Sequence, residues 1–131
     1  DARVLLELGK LYAEGKDYAQ AAATFEAGRA AAPAEADWLT ELARVYDLGK
    51  NSDRLAAVLE EQTATSADDL ALHLRLAKLH ANANRPADAE RAARRALHID
   101  VLSAEARELL FAALTAQRKE KELAELRKRF E

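Results

Sequence analysis

The sequence predicts an all-α protein built from a stack of similar helical units. Three observations carry this expectation. About a quarter of the 131 residues is alanine, half are hydrophobic, and only 5% are aromatic. Alanine is the best helix former, and Leu, Glu, Lys and Arg supply much of the rest. Pro33, Pro86 and four glycines are too few for a turn-rich β protein. The sequence also matches itself best at a shift of 34 residues, and turn-forming residues separate the periodic segments.

The elements follow from that punctuation, in chain order. A helix over 2–15 stops at Gly15-Lys16-Asp17, and Asp17 suits the cap of the next, over 18–31. Ala32-Pro33-Ala34 ends it, and a third helix spans 36–48. Gly49-Lys50-Asn51-Ser52 follows, with Ser52 as the expected cap of a helix over 52–63. Thr65-Ser66-Ala67-Asp68 separates this from 69–82. Pro86 suits the first turn of a helix over 86–98, where its missing N–H is harmless. The last two helices span 104–116 and 119–130. The final one carries a narrow stripe of Leu123, Leu126 and Phe130 among charged residues, as a solubilising end cap would. A basic amphipathic helix could instead lie on a membrane, but Glu120, Glu122, Glu125 and Glu131 dilute its charge.

At the 34-residue shift, Leu8, Leu42, Leu76 and Leu110 fall in one column. Gly9, Ala43, Ala77 and Phe111 form a second, and Tyr12, Tyr46, His80 and Leu114 a third. Ala21, Leu55, Ala89 and Leu123 form a fourth. Such a period marks units that cannot bury their apolar faces alone and stack to do so.

The residues in these columns resemble the tetratricopeptide repeat, whose pattern is W-x2-L-G-x2-Y, A-x3-F and P. The first unit reads Leu5-x2-Leu8-Gly9-x2-Tyr12, Ala21-x3-Phe25 and Pro33, with Leu5 for the Trp. The second keeps Leu39-x2-Leu42-Ala43-x2-Tyr46 and Leu55-x3-Leu59 without the proline. The third keeps Leu76, Ala77 and Ala89, with His73, His80 and Ala93 in the aromatic places. The fourth keeps Leu110 and Leu114, then puts Arg127 where a large apolar residue belongs. The resemblance covers the whole chain and fades toward its end. It implies a solenoid of about four antiparallel helix pairs in a right-handed superhelix. The units would span 2–35, 36–69, 70–103 and 104–131 as a single array, the last acting as cap.

The resemblance also implies a function: a protein-interaction scaffold whose first helices line a concave groove for a peptide or protein segment. On that face stand Arg3, Leu6, Glu7, Lys10 and Ala13, then Asp37, Thr40, Glu41, Arg44, Asp47 and Leu48. Ala71, Leu74, Arg75, Lys78 and Asn82 continue it. Of these, Leu6, Lys10, Thr40, Arg44, Leu48, Leu74, Arg75, Lys78 and Asn82 are the candidate binding residues. One subgroup of the family clamps the carboxylate of chaperone tails with five residues. Here Leu6, Lys10, Glu41 and Ala71 replace four of them and only Arg75 matches, so that ligand is not expected. Lys10, Arg44 and Lys78 recur as a column of cations that would meet an acidic partner. Glu7 and Glu41 offset the first two, while no acid stands at helix spacing from Arg75 and Lys78, which places the strongest positive potential there.

Other chemistries fit less well. Gly9 and Gly15 are one residue too far apart for a phosphate loop, and Asp17 stands where Ser or Thr must hold magnesium. His73 and His80 lie two helical turns apart, too far to share a metal, and occupy packing positions. His98 is expected at the surface. Glu7/Lys10 and Glu41/Arg44 read as helix-surface ion pairs and not as acid–base dyads. The chain has no cysteine, so neither disulfides nor thiolate zinc sites arise, and cytosol and periplasm suit it equally. No enzyme, cofactor, membrane or nucleic-acid role is expected. Related RNA-binding solenoids use 35-residue repeats and basic faces, unlike this period and a net charge of −3. Self-assembly through the ends or the groove is the alternative to partner binding. The lack of methionine and a start at Asp1 point to a segment of a longer protein.

Overall fold

The computed structural model describes residues 1–131 and contains eight helices and no strand. They are α1 (Ala2–Glu14), α2 (Tyr18–Ala31), α3 (Trp38–Leu48), α4 (Ser52–Thr65), α5 (Leu70–Asn82), α6 (Pro86–Ile99), α7 (Ala104–Ala116) and α8 (Glu120–Arg129). The all-α expectation holds, and helix ends differ by a residue or two, in part where a side chain captures the first free N–H groups. Asp37 is one such cap: its carboxylate accepts from the Thr40 amide at 3.3 Å and the Thr40 hydroxyl at 2.8 Å, so α3 starts at Trp38. Asp17 caps α2 through the Gln20 amide at 3.2 Å. The α4 cap is Asn51 rather than Ser52, with Asn51 Oδ1 accepting from the Arg54 amide at 3.3 Å.

One turn is used four times. Lys16, Lys50, Asn84 and Arg118 have φ of 62°, 56°, 58° and 58°, the left-handed conformation that lets a helix reverse into the next. The residue after each donates its amide to the carbonyl of Tyr12, Tyr46, His80 or Leu114, at 2.9, 2.9, 2.8 and 3.0 Å. These positions fall 34 residues apart, so the period seen in side chains is also a period of the backbone.

Contacts divide the chain into two compact units, Asp1–Glu61 and Gln62–Glu131, with the division inside α4. In the first, α2 packs on both α1 and α3. The α1–α2 approach is close because Gly9 has no side chain: an added Cβ would overlap the Phe25 ring, standing 2.7 Å from Cζ. Phe25 meets Trp38 with ring centroids 6.4 Å apart and tilted by 51°. The indole N–H of Trp38 donates to the Ala32 carbonyl at 2.8 Å, which satisfies its one polar atom in the core. Tyr46 is also buried, its hydroxyl donating to Glu26 at 3.4 Å. Arg29 of α2 and Glu61 of α4 make a bidentate ion pair.

One column behaves differently at its first member. Trp38, Leu42 and Val45 of α3 are 2%, 0% and 1% exposed because α2 lies over them. Their equivalents 34 residues earlier, Val4, Leu8 and Leu11 of α1, are 60%, 38% and 62% exposed. Leu8 therefore departs from the burial its column predicts, although Leu76 and Leu110 keep it.

In the second unit α6 packs between α5 and α7, and α8 closes on α7. The packing face of α6 is entirely alanine: Ala89, Ala92, Ala93 and Ala96 are buried. Ala77 of α5 is fully buried, as close helix approach requires. His73 and His80 are buried packing residues, and His73 Nε2 lies 2.9 Å from the Ala67 carbonyl. His98 is exposed. Arg127, in a place expected to be apolar, sits over the Phe111 ring at 5.9 Å, while Arg107 covers Phe130 at 5.3 Å. The two rings meet edge to face at 6.1 Å.

Glu90 joins α6 to α7–α8. Burial would raise its carboxyl pKa, but hydrogen bonds from Arg94 at 2.8 Å, Lys119 at 3.0 Å and Gln117 at 2.8 Å outweigh it. The result is a carboxyl held down to about 2 from an ordinary 4.5. No helix is long and apolar enough to cross a membrane.

Candidate peptide-binding face

Each unit presents a helix face that carries the predicted groove residues. In the first, Arg3, Leu6 and Lys10 follow i, i+3, i+7 spacing and share one side of α1. Leu6 and Lys10 are half-buried and Arg3 exposed. Arg3 and Leu6 line a hollow of about 310 Å³ with Asp1, Ala2, Glu35 and Ala36. On α3, Thr40, Arg44 and Leu48 stand at i, i+4, i+8. Leu48 is 51% exposed, an apolar group left in water beside charged neighbours. Arg44 pairs with Glu41 at 3.5 Å, as the spacing predicts. Two members are less available than their spacing implies. Asp37 is spent on the helix cap, and the Thr40 hydroxyl is bound to it.

In the second unit Leu74, Lys78 and Asn82 line up along α5, with Arg75 beside them. Leu74 is half-buried and the other three are exposed. Lys78 forms an ion pair with Glu105 of α7. No acid stands at helix spacing from Lys78 within α5, as expected, but Glu105 reaches it from a different helix, which corrects the expectation of the strongest positive potential there. Glu105 stands 34 residues after Ala71, so extending the groove column into the fourth unit would have found it. The same extension reaches Ala112 and Ala116, the equivalents of Lys78 and Asn82. They line a hollow of about 370 Å³ with Ala81, Ala113, Ala89, Pro86 and Asn84. Alanine walls offer shape without charge, and could take an apolar side chain.

On these faces the exposed Leu48 and the half-buried Leu6 and Leu74 offer apolar area, Arg and Lys offer cations on flexible stems, and Asn82 offers a donor and an acceptor.

No family model matches the chain, and no curated protein matches it in sequence. Solved structures do match it in shape. It is similar to MamA of AMB-1 with a TM-score of 0.73 and 19% identity, over 94% of this chain and 67% of that one. MamA from Desulfovibrio magneticus RS-1 gives a TM-score of 0.65 and 19% identity, over 95% and 70%. The first TPR of Spaghetti (RPAP3), bound to the HSP90 peptide SRMEEVD, gives 0.60 and 20%, over 89% and 93%. Together with the repeat pattern and its fourfold turn, these likenesses identify the fold of this chain as that of the tetratricopeptide repeat.

Proposed function

We propose that the chain is a protein-interaction scaffold, not an enzyme, and that it holds a peptide or protein segment against the faces described above. The observation that carries the reading is a column of accessible cations at repeat-equivalent places, Lys10 on α1, Arg44 on α3 and Lys78 on α5, with Leu6 and Leu74 sharing a second such place and Leu48 and Arg75 adding to the same faces. Thr40 and Asn82 add polar contacts. The peptide-bound state of the similar RPAP3 domain supports the same use of the fold.

The cations favour an acidic segment. Arg44 and Lys78 are engaged by Glu41 and Glu105, but surface pairs of this kind contribute only about 0–1 kcal/mol. An incoming carboxylate can therefore exchange with them at little cost. The test is binding of acidic and basic peptide pools at low and at physiological salt, repeated with Arg44→Glu/Lys78→Glu. Acidic peptides should bind more tightly, weaken with salt, and lose their advantage in the double variant. Equal binding of both pools would refute the acidic partner, and no binding of either would refute the face.

A second reading, self-association through α1, draws on the uncovered stripe of Val4, Leu8 and Leu11. Laid antiparallel on a second copy about Leu8, α1 sets Val4 over the copy's Leu11. It also sets Arg3 beside the copy's Glu14 and Lys10 beside the copy's Glu7, so apolar and charged groups both match. Light scattering across a concentration series tests it: the mass should rise toward twice the monomer, and Leu8→Lys should abolish the rise.

A further inference from the structure

Apart from the proposed groove faces, the second unit holds a hollow of about 350 Å³ between α6 and α8, floored by the buried Leu110. Its walls are Leu97, Val101, Leu126 and Phe130, and its rim carries His98 and Arg129. That volume lies in the range of small-ligand pockets. The next residue along the chain after Val101, Leu102, is 85% exposed.

The first unit fills the equivalent place with different side chains. Leu97 and Arg129 stand 68 residues after Arg29 and Glu61, two repeat periods on. Arg29 and Glu61 reach across the equivalent place between α2 and α4 in their bidentate ion pair. Leu97 cannot pair with Arg129, and both line the hollow. Arg94, also on the rim, is held by Glu90 at 2.8 Å and Glu122 at 3.1 Å. Arg129 has no acidic partner, although Glu122 and Glu125 border the adjoining recess.

We propose that this hollow is a docking site for a protein segment that presents a large apolar side chain flanked by carboxylates. The apolar group fills the space between Leu97, Val101, Leu126 and Phe130. The carboxylate meets Arg129 and supplies the half of the ion pair that the sequence omits. A charge-assisted contact of this kind fixes the orientation of a side chain that burial alone would leave loose. The site uses α6 and α8, whereas the groove reading uses α1, α3 and α5, so each can fail without the other.

The experiment titrates the intact chain, labelled with nitrogen-15, with three eight-residue peptides whose centres read Glu-Leu-Glu, Lys-Leu-Lys and Glu-Ala-Glu, and with octanoate. The Glu-Leu-Glu peptide should shift the amide signals of residues 97–101 and 126–130, and the other three probes should bind at least tenfold more weakly. Arg129→Glu should weaken the acidic peptide at least tenfold and improve the basic one. Leu97→Arg/Arg129→Glu copies the ion pair of the first unit, which keeps the fold, and should abolish binding by closing the hollow. Shifts elsewhere, equal binding of the acidic and basic peptides, preference for octanoate, or undiminished binding to the double variant would each overturn the proposal.

Discussion

Gly28 of α2 lies flat against the indole of Trp38 on α3, so close that a Cβ at Gly28 would overlap Cη2 and Cζ3 and stand 2.8 Å from Cζ2. Trp38 is 2% exposed and has nowhere to move. Gly28→Ala should therefore destabilise the chain even though alanine is the better helix former. Overpacking costs about 1–3 kcal/mol and the propensity gain returns ~1, leaving a net loss of up to about 2 kcal/mol. Gly15→Ala is the control: its Cβ would meet nothing nearer than 3.6 Å, and the change should be neutral or gain up to ~1 kcal/mol. Urea melts of the two variants decide it.

Leu8 and Leu42 occupy the same repeat position in different surroundings. Leu42→Ala should cost about 3–5 kcal/mol, because a fully buried leucine leaves a cavity under α2. Leu8→Ala should cost less than about 1 kcal/mol, since more than a third of that residue is already in water. Comparable losses would mean that the outer face of α1 is covered in solution.

Helix positions, the repeat period and the packing role of Ala77 were legible because each depends on residues close in sequence. The Asp17 cap and Pro86 were legible for the same reason. Ser52 misled because Asn51 beside it is an equally good cap, and only the backbone path chooses between them. The Lys78–Glu105 pair and the seat of Arg127 on Phe111 were not legible, since both depend on which helices lie side by side. The exposure of Leu8 was hidden for a different reason. A column shows that a position is suited to burial, not that a neighbour is present to bury it.

Glu90 makes stability depend on pH. Its carboxyl is about 2 in the folded chain against an ordinary 4.5, so the unfolded chain takes up a proton first as pH falls. Its stabilisation is complete above about pH 5 and is lost between pH 4.5 and 2. A shift of this size corresponds to about 3 kcal/mol in full, and water around the carboxyl lowers this to about 2–3 kcal/mol. Glu90→Gln should lower stability at pH 7 and flatten its decline below pH 4.5. Parallel pH profiles of the two proteins would show that Glu90 is not the group responsible.

Lys16, Lys50 and Arg118 hold left-handed backbone that glycine adopts more readily. Replacing any of them by glycine should stabilise the chain by about 0.5–1 kcal/mol. Asn84→Gly should gain less, because asparagine tolerates that conformation better. Chemical denaturation of the four single variants provides the ranking.

The fourfold turn also makes the chain editable. Because positions 16, 50, 84 and 118 share one backbone conformation and one hydrogen-bond pattern, a splice between any two preserves the reading frame of the architecture. Joining Lys16 directly to Asn51 deletes one period and rebuilds the same reversal, with α1 now answered by α4 and Gly9 facing Leu59 in place of Phe25. Duplicating 17–50 lengthens the chain by the same logic. Variation in the number of units thus requires no new turn to be invented, only a cut at a residue whose side chain the turn does not read.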